Sequence, residues 1–233
     1  MVPSFAFYRV YVRIAHFRLT LSVLRHRANN PLPTEHAKTG GYGRVHFLRL
    51  GDREVCLKSI PMRPSETPQK TFEGVVKEFT ILKICSAMGC APRLERCLGF
   101  DIVVYDDCLQ YAMERGRPFA EMTSEHRAGL CSRLRLMHDF GIVHIDVKPE
   151  NVVWSESHQR AVFIDFGFSE IIREPRGQKT RSIFKGTPNY ASPPMLILMT
   201  EHVGYIDLYY NDAYAINFIT RLIQPKSFGK LDN

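Results

Sequence analysis

The residues best suited to chemistry in this sequence are four polar side chains in two short segments that lie close together along the chain. Asp146, Lys148 and Asn151 lie in the segment HIDVKPEN, and Asp165 lies in the segment VFIDFGFS. Carboxylate and amide oxygens are ligands that Mg²⁺ prefers, and an ammonium group neutralises an anion such as a phosphate. Groups of these types are what the reaction of a phosphate-bearing substrate requires.

The two segments, taken together and in this order, resemble the catalytic loop and the metal-binding loop of the protein kinase family, over roughly residues 38–220. The resemblance implies ATP and Mg²⁺ as nucleotide and metal ion. Asp165 would be the chief Mg²⁺ ligand, and Asn151 would offer an amide oxygen to a second ion. Asp146 would accept or orient the proton of the attacking hydroxyl, and Lys148 would neutralise the γ-phosphoryl group during transfer.

An upstream lysine, Lys58, lies in the apolar segment VCLK. An unpaired ammonium is costly in such a place, so we expect a phosphate or carboxylate partner. Lys58 resembles the strand lysine of the family, and Glu73 and Glu78 are both candidates to pair with it. The helical stripe that includes Phe79 and Leu82 places Glu78 on the inward face, and Glu78 is therefore the predicted partner.

The stretch TGGYGRVHF resembles the loop that covers the ATP phosphates, where missing side chains let backbone N–H groups approach closely. The resemblance assigns Gly40, Gly41 and Gly43 to this loop. Lys38 stands where the first glycine of the family belongs, so that nucleotide binding is looser or the lysine adds a phosphate contact. Four further residues are assigned to the adenine slot and to the hinge between the lobes: Val45, Cys56, Met113 and Glu114.

The acceptor implied by the resemblance is a serine or threonine hydroxyl of a protein. Lys148 and the sequence GTPNY are similar to the serine/threonine branch, in which Thr187 helps to hold the catalytic aspartate and lysine. The position before Asp146 is Ile145, where phosphorylation-controlled members carry an arginine that binds the activation-loop phosphate. A switch through that arginine is therefore not expected.

The family pattern also breaks further along the chain. Ser192-Pro193-Pro194 replaces the expected Ala-Pro-Glu, and only a short stretch follows the helix in which Asp212 resembles the buried aspartate of the family. Three interpretations stay open: a prematurely ended sequence, a minimal divergent enzyme, and a kinase-like protein that no longer catalyses. The alternative function is therefore a pseudokinase that acts as a binding or scaffolding module.

The pattern of elements predicts an α+β fold, and the resemblance implies the two lobes of a protein-kinase-like fold. An antiparallel sheet lobe is expected from about residue 35 to 114, and a mainly helical, incomplete lobe from about 115 to 233. A long helix is expected to begin near Ser124 and to stop around Gly141, since glycine favours helix C-termini. Residues 31–233 would form the kinase domain, and residues 1–30 would be a basic extension of unknown role.

The first thirty residues hold five arginines and no acid, which leaves only about +2 of the net charge of +7 for the remainder. A basic protein that binds nucleic acid or a membrane surface is the third interpretation, but it would have to treat the kinase motifs as coincidence. The apolar residues of this segment fit an amphipathic helix, as in a transit peptide or a membrane-surface helix, and they fit a strand equally well. An extension without a role in the chemistry is the simplest interpretation.

Composition agrees with a globular enzyme, since 45% of the residues are hydrophobic and 24% are charged. The six cysteines contain no C-x-x-C pair, which favours reduced thiols and a cytoplasmic or nuclear location. An apolar run of about 18 residues, long enough to span a membrane, is absent from the sequence. The expected partner is a protein substrate, and no specific nucleic acid is expected.

Overall fold

The computed structural model describes residues 5–14, 17–26, 36–40, 43–50, 52–62, 66–105, 108–118 and 122–222. It is a mixed α+β structure in which strands and one helix come first and the other helices follow, as predicted. The first part contains nine elements: β1 (Phe5–Ile14), β2 (Phe17–His26), β3 (His36–Gly40), β4 (Gly43–Leu50), β5 (Arg53–Pro61), α1 (Pro68–Ala87), β6 (Leu94–Glu95), β7 (Ile102–Val104) and β8 (Cys108–Glu114).

The second part begins after β8 and, within the described residues, holds three helices and short strands. Its elements are β9 (Arg117–Pro118), α2 (Ser124–Asp139), β10 (Ile142–Val143), β11 (Val152–Ser155), β12 (Arg160–Phe163), β13 (Glu170–Ile171), β14 (Thr180–Ser182), α3 (Pro193–Glu201), β15 (Gly204–Ile206) and α4 (Leu208–Leu222). Short 3₁₀ helices cover Pro149–Asn151 and Pro188–Tyr190.

The large sheet has the strand order β1-β2-β7-β8-β5-β4-β3, and β6 pairs with β8 outside this path. Strand β5 shows why the sheet has two different faces. Val55 and Leu57 are buried and pack in an apolar cluster, whereas Cys56 and Lys58 alternate with them and line the cleft on the opposite face. The period of two along β5 therefore separates core residues from site residues.

Helix α1 packs its apolar stripe against this sheet. The side chain of Thr67 accepts a hydrogen bond from the Lys70 backbone N–H, and a proline occupies the first helical turn, which tolerates it. Phe79 and Leu82 are buried in the main core, as the helical stripe predicted, and Glu78 is buried with them. The stripe therefore fixes which carboxylate of α1 faces the sheet.

The long helix predicted near Ser124 is α2. Thr123 caps its N-terminus by accepting from the His126 backbone N–H, and the His126 side chain accepts from the Thr123 N–H in return. The helix ends at Asp139, and Gly141 follows with a φ of +75°. A Cβ at this glycine would lie 2.6 Å from the Ile172 carbonyl oxygen, so the turn requires glycine both for its conformation and for space.

The basic N-terminal segment forms the hairpin β1–β2, so the strand alternative describes it and the helix alternative does not. Strand β2 pairs with β7 in parallel, which makes this pairing the exception in an otherwise antiparallel sheet. Leu21 and Val23 of β2 are fully buried in the core that also contains Phe79. The hairpin thus continues the sheet, and the division of the chain near residue 30 stays a prediction. Within the described residues, every helix is too short or too polar to cross a membrane.

Candidate active site

The loop after β10 brings together the catalytic residues that the sequence predicted. Asp146 is 4% exposed, and its carboxylate lies 2.7 Å from the Lys148 ammonium. Lys148 also donates to the Thr187 hydroxyl at 2.9 Å, and the Asn151 amide donates to the Asp146 carboxylate at 3.1 Å. The second oxygen of Asp146, Oδ1, is buried and has no hydrogen-bond partner among the described residues. Oδ1 of Asp146 is therefore an acceptor that no described residue uses.

Asp212 of α4 holds this loop in position. Its side chain is fully buried and accepts hydrogen bonds of 2.7 Å from the backbone N–H groups of His144 and Ile145. His138 of α2 contacts the same carboxylate at 3.0 Å. Ile145 has a φ of +72°, a conformation that a β-branched residue adopts only when its surroundings impose it. A helix far along the chain thus fixes the backbone next to Asp146.

Lys58 joins two carboxylates at the edge of the cleft. Its ammonium lies 2.5 Å from Glu78 and 2.9 Å from Asp165, so the predicted partner Glu78 is the residue that pairs with it. Glu73 is exposed and accepts from Gln69 instead. Burial alone would lower the pKa of Lys58, but the attraction of Glu78 and Asp165 raises the pKa well above its usual range. The lysine is therefore a cation at neutral pH.

Asp165 and Asn151 offer oxygen atoms that fit Mg²⁺. Burial would raise the pKa of Asp165, but the Lys58 ammonium outweighs it and lowers this pKa, so the carboxylate is ionised. The Asp165 side chain remains 42% exposed, and both residues line the same cavity. Asn151 uses its amide nitrogen toward Asp146, which leaves the amide oxygen for a cation. Two such ligands with substrate phosphates match the way Mg²⁺ binds in proteins.

The cleft between the sheet and the catalytic loop is a cavity of about 380 Å³. Gly43 lies in its wall, where a Cβ would come within 2.6 Å of the Ser59 carbonyl oxygen. Burial raises the pKa of the Cys56 thiol to about 11, although Lys58 and Arg115 partly oppose this. The predicted cleft residues found in the wall are Gly43, Val45, Cys56, Lys58, Glu78, Met113, Glu114, Asn151 and Asp165.

The structure describes only part of the predicted glycine-rich loop. Gly40 pairs with Gly43 at the end of the β3–β4 hairpin, but Gly41 lies outside the described residues. The backbone of Lys38 pairs with Val45, and the interpretation of its side chain as a phosphate contact likewise lies outside the described residues. The assignment of this loop to phosphate binding stays a prediction.

The Glu114 carboxylate turns toward the second lobe. It accepts from the Ser157 backbone N–H at 2.8 Å, from the Ser155 hydroxyl at 3.0 Å and from the Arg93 backbone N–H at 3.2 Å. The Ser157 hydroxyl also donates to this carboxylate. Burial would raise the pKa of Glu114, but these hydrogen bonds, above all the two from Ser157, lower it. The Glu114 carboxylate therefore connects the end of β8 to the turn that follows β11.

The sequence analysis missed two residues that support the site. The Tyr111 hydroxyl donates to Glu78 at 2.8 Å. Asn211 accepts from the Ser192 backbone N–H at 3.0 Å and donates to the Ile145 carbonyl at 3.3 Å. Asn211 thereby connects the Ser-Pro-Pro segment, which lacks the family glutamate, to the catalytic loop. Tyr111 was open to prediction, because it shares a strand face with Met113, whereas nothing in the sequence links Asn211 to Ser192.

Known proteins are similar in sequence to the part of the chain that contains these residues. The family model for the protein kinase domain matches residues 38–220, which leaves the hairpin β1–β2 outside the match. A probable serine/threonine-protein kinase, fhkB, of Dictyostelium discoideum is 28% identical over 173 residues, 68% of this chain and 14% of that protein. Serine/threonine-protein kinase dkf-1 of Caenorhabditis elegans is 34% identical over 176 residues, 68% of this chain and 23% of that protein.

A third relative is a probable cAMP-dependent protein kinase catalytic subunit of Encephalitozoon cuniculi. It is 29% identical over 171 residues, which are 67% of this chain and 50% of that protein. The match to this chain thus covers at most half the length of these three relatives. Because the family model matches well over half of the residues, the chain belongs to the protein kinase family.

Proposed function

We propose that this chain is a serine/threonine protein kinase that transfers the γ-phosphoryl group of ATP to a hydroxyl of a protein substrate. The observation that carries the proposal is the convergence of charged groups from distant segments on one cleft. Lys58 of β5 contacts Asp165 at 2.9 Å, and Asp165 shares the cavity wall with Asn151, which in turn donates to Asp146. These are the groups that phosphoryl transfer needs for alignment and charge neutralisation.

Each residue receives a role from the chemistry of its side chain. Lys58 would bind nucleotide phosphates, and Glu78 would hold Lys58 in place. Asp165 and Asn151 would bind Mg²⁺, which supplies charge neutralisation on the phosphates when it is bound. The roles of the cavity wall in adenine binding follow from its apolar residues, including Val45 and Met113.

The transfer step assigned to the catalytic loop is a displacement reaction at the γ-phosphorus. The oxygen of the protein hydroxyl forms a bond to the γ-phosphorus, and the bond from that phosphorus to the β–γ bridging oxygen breaks, which leaves ADP. The hydroxyl proton goes to Asp146, whose buried Oδ1 has no other partner among the described residues. Lys148, held between Asp146 and Thr187, neutralises the charge of the moving phosphoryl group.

Transfer of labelled phosphate from Mg-ATP to a generic protein acceptor tests the proposal. Wild-type protein is expected to label serine or threonine, and Asp146→Asn is expected to reduce the rate by about 10³-fold, since the substrate hydroxyl loses its proton acceptor. Asp139→Asn is a matched control, because this carboxylate is exposed and pairs with Arg176 on the surface. Equal rates in wild type and Asp146→Asn would contradict the assignment of Asp146.

A second candidate function is a pseudokinase that binds nucleotide or a protein without catalysis. Two observations favour it: Ile145 replaces the family arginine, and the Ser-Pro-Pro segment lacks the family glutamate. The same assay separates the candidates. If Mg-ATP raises the melting temperature but labelled phosphate is not transferred, the binding module is supported and the kinase proposal is wrong.

A further inference from the structure

A tyrosine hydroxyl lies against the ion pair of the cleft from the side of the sheet. Tyr111 belongs to β8, directly opposite Lys58 in the β5–β8 ladder, and is 1% exposed. Its hydroxyl donates to Glu78 Oε1 at 2.8 Å, and the same oxygen lies 2.5 Å from the Lys58 ammonium. Glu78 therefore has two donors on one oxygen, and both come from neighbouring strands of the sheet.

The tyrosine is a rigid donor. Its strand lies between β7 and β5 in the large sheet, and its ring packs edge-on against Phe79 of α1, with ring centroids 5.3 Å apart. Burial first, and the nearby Glu78 charge second, raise the pKa of Tyr111 well above its usual range, so the hydroxyl keeps its proton. Because the hydroxyl is neutral, buried and fixed, it stabilises the carboxylate only in the one position that is within hydrogen-bond distance.

The two donors to Glu78 differ in what else they do. Lys58 also contacts Asp165, and in the proposed function it would turn to nucleotide phosphates. Among the described residues, the Tyr111 hydroxyl donates to Glu78, and this hydrogen bond requires neither a nucleotide nor a metal ion. The tyrosine can therefore hold Glu78, and with it helix α1, in the pairing position before any ligand enters the cleft.

We propose that Tyr111 is a positioning residue that keeps Glu78 paired with Lys58 in the nucleotide-free protein. The inference rests on the proposed kinase function, because the pairing of Lys58 and Glu78 is what aligns the lysine for phosphate binding. In this proposal, a strand of the sheet holds Glu78 in the pairing position. A phosphate-binding arginine before Asp146 cannot do so, since that position is Ile145. Tyr111 acts through Glu78 and touches no reacting atom.

The fraction of protein in which Glu78 and Lys58 are paired determines the expected change in the KM for ATP. If nucleotide binds only to protein in which the pair is formed, a smaller paired fraction raises the KM for ATP by the inverse of that fraction and leaves kcat nearly unchanged. Loss of a hydrogen bond to a buried charged group is expected to weaken the pairing equilibrium about tenfold or more, which raises the KM for ATP about three- to tenfold, because part of the protein stays paired. Tyr111→Phe removes only the hydroxyl and keeps the ring that contacts Phe79.

The decisive experiment is a double-mutant cycle with Glu78→Gln. Tyr111→Phe is expected to raise the KM for ATP about three- to tenfold in the wild-type background and less than about twofold in the Glu78→Gln background, because its effect passes through Glu78. Tyr105→Phe, which removes a hydroxyl from another buried tyrosine, is the matched control and is expected to leave the KM unchanged. An equal effect of Tyr111→Phe in both backgrounds, or no effect in either, would overturn the proposal.

Hydrogen exchange gives a second readout that does not need catalysis. Without nucleotide, the amides of α1 are expected to exchange faster in Tyr111→Phe than in wild type or Tyr105→Phe. Unchanged exchange in α1 would contradict the positioning role. If wild-type protein transfers no phosphate, the proposed function fails, whereas the exchange rates still decide whether Tyr111 positions Glu78.

Discussion

Helix α1 is held on two sides by contacts of different kinds. On the cleft side, Glu78 pairs with Lys58, and the two side chains are only 10% and 9% exposed. On the side of the N-terminal hairpin, Lys83 pairs with Asp101 at 3.1 Å, and Asp101 accepts hydrogen bonds from the backbone N–H and the hydroxyl of Ser22. The hairpin side adds apolar burial, whereas the cleft side is a network of charges.

The two sides of α1 are expected to contribute to different properties, the cleft side to ligand binding and activity and the hairpin side to stability. Charges in a cleft attract ligands, and removing one changes what the cleft binds. Leu21 and Val23 of the hairpin gain their stabilising free energy from leaving water, which does not depend on a ligand. Substitutions in the cleft are therefore expected to lower activity with little loss of stability, and substitutions in the hairpin are expected to do the reverse.

The largest effect is expected for Asp165→Asn, which removes the carboxylate assigned to Mg²⁺. The rate of phosphate transfer should fall by about 10³-fold or more, because an amide is a poor substitute for an anionic metal ligand. Since the Asp165 side chain is 42% exposed, solvent screens its attraction to Lys58, and the melting temperature should change by less than about 4 °C. If the melting temperature falls strongly while phosphate transfer is retained, the cleft side of α1 determines stability and not activity, which would contradict the comparison.

The next effect is expected for Leu21→Ala in the hairpin. Leu21 is fully buried in the main core, so its truncation should lower the free energy of unfolding by about 2–5 kcal/mol. Leu19 is only partly buried beside the same core, and Leu19→Ala should cost clearly less. Urea unfolding measures both variants, and transfer per folded molecule should stay within about twofold of wild type for each. Equal losses for Leu21→Ala and Leu19→Ala would mean that the hairpin is not packed as described.

A smaller effect is expected for Asp101→Asn, which keeps the shape of the side chain but removes its charge. Because the carboxylate is 14% exposed and accepts from Ser22 while pairing with Lys83, its loss should lower the free energy of unfolding by about 1–3 kcal/mol. Glu156→Gln is the matched control, since Glu156 pairs with Arg117 on an exposed surface and such pairs contribute about 0–1 kcal/mol. Combination with Ser22→Ala should be less than additive if the two residues act together.

The sequence predicted the cleft better than the hairpin because the two depend on different information. Asp146, Lys148, Asn151 and Asp165 lie in two short segments that resemble loops of the protein kinase family, so they could be found by reading locally. The choice of Glu78 over Glu73 followed from helical periodicity, and the structure contains that pair. Local patterns were sufficient wherever one element or one loop carries the relevant groups.

The hairpin required information that local patterns do not contain. Its apolar residues fit a helix and a strand equally well, and the outcome depends on the pairing of β2 with β7, far along the chain. The same limit applies to Asn211, whose partner Ser192 comes from another element. Tyr111 is intermediate, because strand alternation places it on the face of Met113, but only the packing of α1 brings its hydroxyl to Glu78.

The smallest effect concerns the dependence of the hairpin contact on pH. Burial would raise the pKa of Asp101, but the hydrogen bonds from Ser22 and the pairing with Lys83 outweigh it and lower this pKa. A carboxyl whose pKa is lower in the folded protein contributes stability that is fully present above its unfolded pKa, about 3.9, and is lost as the pH falls through the folded value. The difference in urea midpoint between wild type and Asp101→Asn should therefore be constant from pH 7 to about pH 5 and should shrink below about pH 4.

The exposed pair of Glu156 and Arg117 should give no such trend of comparable size, because water solvates both charges. A difference that persists unchanged to about pH 3 would contradict this account, because the stabilisation by the Asp101 charge must decrease once the carboxyl of the unfolded chain takes up a proton near its usual pKa of about 3.9.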